Sequence, residues 1–94
     1  MPRFMVERDL GVVSEEEMQE IAARSRVMQA KQFPDIGWEG SHVCSDDGGA
    51  VKAFCVYVAP SPERLREHTD SVGGLVITRI YEIVGELSPD DVKI

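Results

Sequence analysis

The sequence predicts an α+β domain in which four strands and two helices follow one another in the order βαββαβ. Four segments alternate apolar and polar side chains or are rich in Val and Ile, as strands are: residues 4–8, 36–44, 54–58 and 75–84. Two further segments begin at a serine that can cap a helix, at Ser14 and at Ser61. Because this order is that of two split βαβ halves, we predict a ferredoxin-like fold. Its four-stranded antiparallel sheet should carry both helices on one face.

The first strand and the first helix are marked by local signals. Phe4 and Val6 share one face of the strand, as alternate residues do. Ser14 and Glu17 have the spacing of a capping box, in which each side chain bonds the backbone amide of the other residue. Pro34 follows the last residues of helical pattern, so the helix is expected to end there.

The second and third strands form a hairpin whose turn is the Asp-Asp-Gly-Gly segment at residues 46–49. If paired residue numbers sum to 97, His42 lies opposite Cys55 and Gly40 opposite Tyr57. We favour this register because a tyrosine ring packs well over a cross-strand glycine. A sum of 96 is the alternative, and it would move His42 to the other face, since a one-residue slip turns every side chain over.

The third strand leads directly into the second helix. Pro60 stops the strand because it has no amide to donate, and Ser61 followed by Pro62 is a typical helix start. This helix should end before the Gly-Gly pair at residues 73–74, ahead of the fourth strand. We therefore expect one domain over residues 1–85 and a loosely held tail over residues 86–94.

The strands also predict an open sheet face that needs a cover. Five apolar residues are assigned to the side of the helices: Phe4, Val6, Phe54, Val56 and Val58. The alternate positions, Met5, Glu7, Cys55 and Tyr57, then fall on the open face. Exposed Met and Tyr in the middle of a sheet form an apolar patch, so we expect a homodimer that packs sheet on sheet.

Composition narrows the classes of function. A net charge of −7 argues against nucleic acid as a partner, and no apolar run is long enough to cross a membrane. Charged residues at positions 7–9 do not suit a signal peptide, so we expect a cytoplasmic protein whose two cysteines stay reduced. The chain has no Ser-His-Asp set, phosphate loop or dinucleotide fingerprint, which leaves hydrolase, kinase and dehydrogenase functions without support.

The residues that carry chemistry are few and form one candidate constellation: Glu7, His42, Cys55, Tyr57 and His68. Imidazole, thiolate and carboxylate together suit a divalent transition metal. Each residue also has a structural explanation. His68 can be a cation near a helix C-terminus, and Cys55 a small buried hydrophobe. Glu7, in the middle of a central strand, needs a partner in either case.

The same residues resemble a known family. The stretches MPRFMVER, SHV, FCVYVAPSPE and REH are similar to small domains long catalogued as of unknown function and later called nickel-binding proteins. The resemblance covers roughly residues 2–83 and implies a ferredoxin-like homodimer that binds nickel or a similar divalent ion. It also implies metal ligands at Glu7, His42, Cys55 and His68, with Tyr57 beside them.

The sequence is compatible with two main functions and with a third, less specific one. The first is a small, non-catalytic homodimer that binds nickel or another divalent metal. The second is a dimeric α/β-barrel enzyme with His and Tyr as acid–base groups. The enzyme should have a closed apolar pocket of several hundred Å³ into which His42 or His68 points. A regulatory or interaction module would show neither feature.

Overall fold

The computed structural model describes residues 1–93 and has the predicted order of elements. The elements are β1 (Arg3–Gly11), α1 (Glu15–Gln32), β2 (Gly37–Ser45), β3 (Val51–Val58), α2 (Pro62–Val72), β4 (Arg79–Ile83) and a 3-10 turn at Pro89–Asp91. The strands form one antiparallel sheet in the spatial order β2-β3-β1-β4. This arrangement confirms the ferredoxin-like α+β fold.

Both helices begin as the sequence predicts. Ser14 caps α1 through a bond of 3.1 Å from the Glu17 amide, and the Glu17 carboxylate accepts from the Ser14 amide at 3.1 Å. Ser61 caps α2 by accepting from the amide of Arg64 at 3.2 Å. These serines satisfy amides that have no partner within the helix, which fixes where each helix starts.

The hairpin register differs from the favoured one. His42 pairs with Phe54 and Ser41 with Cys55, so the residue numbers sum to 96 rather than 97. The turn explains the difference, because Asp46 donates its amide to the Ala50 carbonyl at 3.0 Å and closes a loop with three residues between them. A bulge after Trp38 then shifts the pairing by one further residue.

The predicted facing of β3 is wrong. Val6 pairs with Cys55 and Phe4 with Tyr57, and directly opposite residues in an antiparallel pair share a face. The helix side of β3 therefore carries buried Ala53, Cys55 and Tyr57. The three more apolar residues, Phe54, Val56 and Val58, lie half-buried on the open face. Strand composition alone misled the assignment, because both faces of β3 are apolar enough to be covered.

The two helices cover their side of the sheet unequally. Leu65 and His68 of α2 are fully buried, and Phe33 and Ile36 complete this part of the core. No residue of α1 is buried, although its apolar stripe does face the sheet. A cavity therefore remains between α1 and the sheet. The tail is exposed over residues 86–93, and its last residue, Ile94, lies outside the described residues.

Candidate functional site

The five candidate residues do not converge, because the sheet divides them into two groups. Glu7 and His42 lie on the open face, and His42 does so despite the register sum of 96 because its partner Phe54 faces that side rather than the helices. Cys55 and Tyr57 lie on the helix side, and His68 is buried beneath α2. The expected pocket containing His42, Cys55, Glu7 and His68 together is therefore absent from the part of the chain that the structure describes. The reason is the facing of β3, which places Cys55 opposite Val6.

Glu7 and His42 flank one residue of the open face. Phe54 pairs with Glu7 of β1 on one side and with His42 of β2 on the other. Neighbouring strands lie about 4.8 Å apart, so the two backbones are separated by roughly 10 Å across the Phe54 ring. The carboxylate and the imidazole thus stand on the same face, on either side of an aromatic side chain.

The Glu7 carboxylate has partners in the folded chain. Its Oε2 lies 2.9 Å from Lys52 Nζ, and its Oε1 lies 3.5 Å from the Tyr81 hydroxyl. The pKa of Lys52 is raised, mainly by its hydrogen bond to Glu7 and to a smaller extent by its hydrogen bond to Asp9. Oε2 is therefore engaged in an ion pair, while Oε1 has only a long contact and is the oxygen more available to a ligand.

His68 has the environment of a structural histidine. Its ring is fully buried and packs edge-on against Phe33, with ring centroids 5.3 Å apart. Nε2 donates to the Ser25 carbonyl at 3.1 Å, whereas Nδ1 has no hydrogen-bond partner within residues 1–93. Burial lowers the pKa of His68, although the bond to Ser25 opposes that change. The neutral ring joins α2 to α1.

Cys55 and Tyr57 belong to the helix-side layer. Both are buried, and Cys55 is a free thiol. The Tyr57 hydroxyl lies 3.5 Å from Nη2 of Arg8. Burial raises the pKa of Tyr57, while the positive charge of Arg8 acts in the opposite direction. The phenol therefore remains protonated at neutral pH.

Cys44 was not among the predicted ligands, yet it lies on the open face. It pairs with Lys52, two pairs further along β2 from His42, and its thiol is free and exposed. The signal was present in the sequence, since alternate residues of a strand share a face. Even so, no group of three or more His, Cys, Asp or Glu residues within residues 1–93 is close enough to hold a metal.

The cavity between α1 and the sheet has a volume of about 430 Å³ and does not have the predicted histidine. Tyr57 and Cys55 line it, together with apolar side chains from α1 and β2. Neither His42 nor His68 does. The predicted acid–base enzyme would need a histidine in this pocket, and neither histidine is there to act as the acid or base. Arg8 also lines the cavity. It follows Phe4 and Val6 at alternate positions of β1, and this spacing was the overlooked sign that its side chain faces inward.

A comparison with known protein families shows to which family the chain belongs. The family model described as nickel responsive protein SCO4226-like matches residues 4–83. The chain belongs to the SCO4226-like family. The resemblance inferred from the sequence motifs is thereby confirmed, and no curated protein sequence matches the chain.

Solved structures show the same fold at low sequence identity. The crystal structure of SCO4226 from Streptomyces coelicolor A3(2) matches with a TM-score of 0.70 and 14% identity, covering 90% of this chain and 99% of that one. The solution structure of the C-terminal domain of MgtC from Mycobacterium tuberculosis matches with a TM-score of 0.60 and 10% identity, covering 92% and 89%. Both likenesses concern the fold of this SCO4226-like chain.

The helices of this family member are too short or too polar for a membrane span. Over residues 1–93, neither helix combines the length and the hydropathy that such a span requires.

Proposed function

We propose that this protein is a non-catalytic, nickel-responsive homodimer that binds a divalent transition metal across its dimer interface. The ligands are His42 and Glu7 from each copy. The observation that carries the proposal is the position of these two residues on one open sheet face, on either side of Phe54. Nickel is the metal that the family description favours, and we propose that the protein binds it in the cytoplasm.

The open face supports the dimer. Met5, Phe54, Val56 and Val58 are half-buried there and form a continuous apolar surface over the two central strands. Four strands about 4.8 Å apart and roughly 26 Å long offer a face of about 500 Å². Two such faces bury about 1,000 Å², which is what a specific interface needs. A second copy of the chain matches this surface in size and character.

Two-fold symmetry would complete the metal site. One copy supplies one imidazole and one carboxylate on this face, which is too few ligands for a transition metal. An isologous interface presents the same residues from both copies, so it would supply two of each. Imidazole and carboxylate are suitable ligands for nickel and zinc, and binding requires the imidazole to be deprotonated. Affinity should therefore fall on acidification.

The helix-side residues are not part of this proposed set. Cys55, Tyr57 and His68 are buried on the opposite side of the sheet, where a metal held by the open face would not meet them. Cys44 is a free thiol on the same face as His42, two residues along β2, and we propose it as an additional soft ligand.

Nickel titration by calorimetry tests the ligand assignment with the only two histidines in the chain. Metal-free wild-type protein should bind nickel, and His42→Ala should weaken that binding at least tenfold because a ligand from each copy is lost. His68→Leu fills the buried site with a side chain of similar size, so it should bind nickel like the wild type.

Three results would contradict this assignment. They are equal nickel binding by wild type and His42→Ala, no binding by wild type at neutral pH, and loss of binding in a folded His68→Leu protein.

A further inference from the structure

Arg8 is a buried cation with only neutral partners. The residue is 3% exposed, and Nη1 donates to Thr69 Oγ1 at 3.1 Å and to the Val76 carbonyl at 3.3 Å. Nη2 contacts the Tyr57 hydroxyl at 3.5 Å. Within residues 1–93, no carboxylate oxygen lies within 4.0 Å of its guanidinium. A buried charge is costly unless it is paired, so this position favours an anion that the chain itself does not supply.

Three more exposed cations have the carboxylate partners that Arg8 lacks. Arg3 and Arg64 each form ion pairs with two carboxylates, and Lys52 lies between Glu7 and Asp9. Six carboxylates are engaged by these three cations. The best-buried guanidinium, where an ion pair would be strongest, has none.

The cavity beside Arg8 is suited to a small apolar molecule. Its volume of about 430 Å³ lies within the usual range of ligand sites. Met18 and Ile21 of α1 form one wall, and Val43 and Ala53 of the sheet form the other. Arg8 is the one charged residue among the side chains that line it over the described part of the chain. An apolar cavity with a single positive charge is suited to a ligand that carries one negative charge and is otherwise apolar.

We propose that this cavity binds a small apolar monocarboxylate, whose carboxylate pairs with Arg8 beside the Tyr57 hydroxyl and whose hydrocarbon part occupies the space under α1. A guanidinium binds a carboxylate through two parallel hydrogen bonds, and Arg8 has donors left for this because it has five N–H groups. A dianion such as a phosphate monoester would leave one charge without a partner. This proposal is independent of the metal site, which is on the other side of the sheet.

Trp38 provides a direct measurement of binding. It is the only tryptophan of the chain and lines the cavity, with its indole Nε1 bonded to Ser41 Oγ at 3.0 Å. Titration with sodium decanoate should change its fluorescence in a saturable way. The neutral analogue 1-decanol should bind at least tenfold more weakly, because its hydroxyl neither neutralises the Arg8 charge nor accepts the two parallel hydrogen bonds that a carboxylate accepts.

Two variants test the contribution of the Arg8 charge and that of the cavity volume separately. Arg8→Met keeps an extended apolar side chain and should reduce decanoate affinity to that of decanol. Ala22→Met keeps Arg8 and fills the cavity from α1, so it should also lose decanoate. Ala30→Met makes the same change at an exposed position of α1 and should bind like the wild type. His42→Ala should likewise leave the decanoate titration unchanged.

The proposal is overturned if decanoate and decanol bind wild type equally, or if decanoate gives no saturable change. It is also overturned if Ala22→Met binds decanoate as well as Ala30→Met does. This last comparison stands even if Arg8→Met does not fold.

Discussion

His68 shows how one buried side chain links pH to the stability of this protein. Its ring is enclosed by Phe33 and Tyr57, with centroids 5.3 and 6.5 Å away, and it bonds the backbone of α1 through Ser25. Burial lowers its pKa in the folded chain. The unfolded chain therefore takes up a proton at a higher pH than the folded chain does, and acidification favours unfolding.

The first expected result at this scale is a loss of stability on acidification. The contribution of neutral His68 is fully present above the ordinary histidine pKa of about 6.5 and is lost progressively as pH falls toward the lower folded value. The melting temperature of wild type should fall between pH 7 and pH 5, measured by circular dichroism. His68→Leu should show a smaller fall over the same range, since the exposed His42 remains in both proteins. Parallel curves for the two proteins would refute this role.

At the scale of elements, Asp46 fixes the register that brings His42 opposite Phe54. Its Oδ1 accepts from the amides of Gly48 at 2.9 Å and Ala50 at 3.0 Å, and its own amide bonds Ala50. An aspartate that bonds amides ahead of it in this way holds a turn in one conformation. The adjacent Asp47 makes no such bond within the described residues, so the two aspartates form a natural matched pair.

Asp46→Ala should therefore destabilise the protein, and Asp47→Ala should not. Loss of hydrogen bonds at an exposed turn costs about 1 kcal/mol, whereas a surface substitution away from such features changes stability by less than about 0.5 kcal/mol. Urea unfolding monitored by Trp38 fluorescence measures both. Equal midpoints for the two variants would show that Asp46 does not determine the turn.

The sequence predicted elements and caps well because their signals are local. Ser14 with Glu17, and Ser61 with Pro62, each act within a few residues of the chain. Register and facing depend on distant pairings, and there the prediction failed. The hairpin sum of 97 missed the loop closed by Asp46, and the facing of β3 could not be judged without its partner β1. Cys55 and Tyr57 were consequently assigned to the wrong face, and the inward position of Arg8 was overlooked.

At the scale of the whole molecule, the open sheet face is the surface on which the proposed dimer and metal site both depend. The side of the helices is already covered, apart from the cavity under α1, whereas Phe54 and Val56 on the other side are only half-buried in a single chain. A second copy would bury this surface and bring the two His42 side chains to one interface. Metal binding and dimerisation should therefore depend on each other.

A substitution in the centre of the open face should separate the copies. Val56→Arg places a charge where the two sheets would meet, and burying it without a partner is costly. Light scattering should give twice the 10.4 kDa chain mass for wild type and the single mass for this variant. Val27→Arg makes the same change on an exposed position of α1 and should remain dimeric. A wild-type protein of single mass at micromolar concentration would contradict the dimer.

Native mass spectrometry of nickel-loaded protein is the decisive test of a metal site shared between two copies, because it reports chain number and bound metal in one species. Wild type and Val27→Arg should appear as dimers that carry nickel, while Val56→Arg should appear as a monomer that carries none, since it presents only half of the ligands. A folded Val56→Arg monomer that retains nickel as well as the wild type does would contradict a metal site shared between two copies.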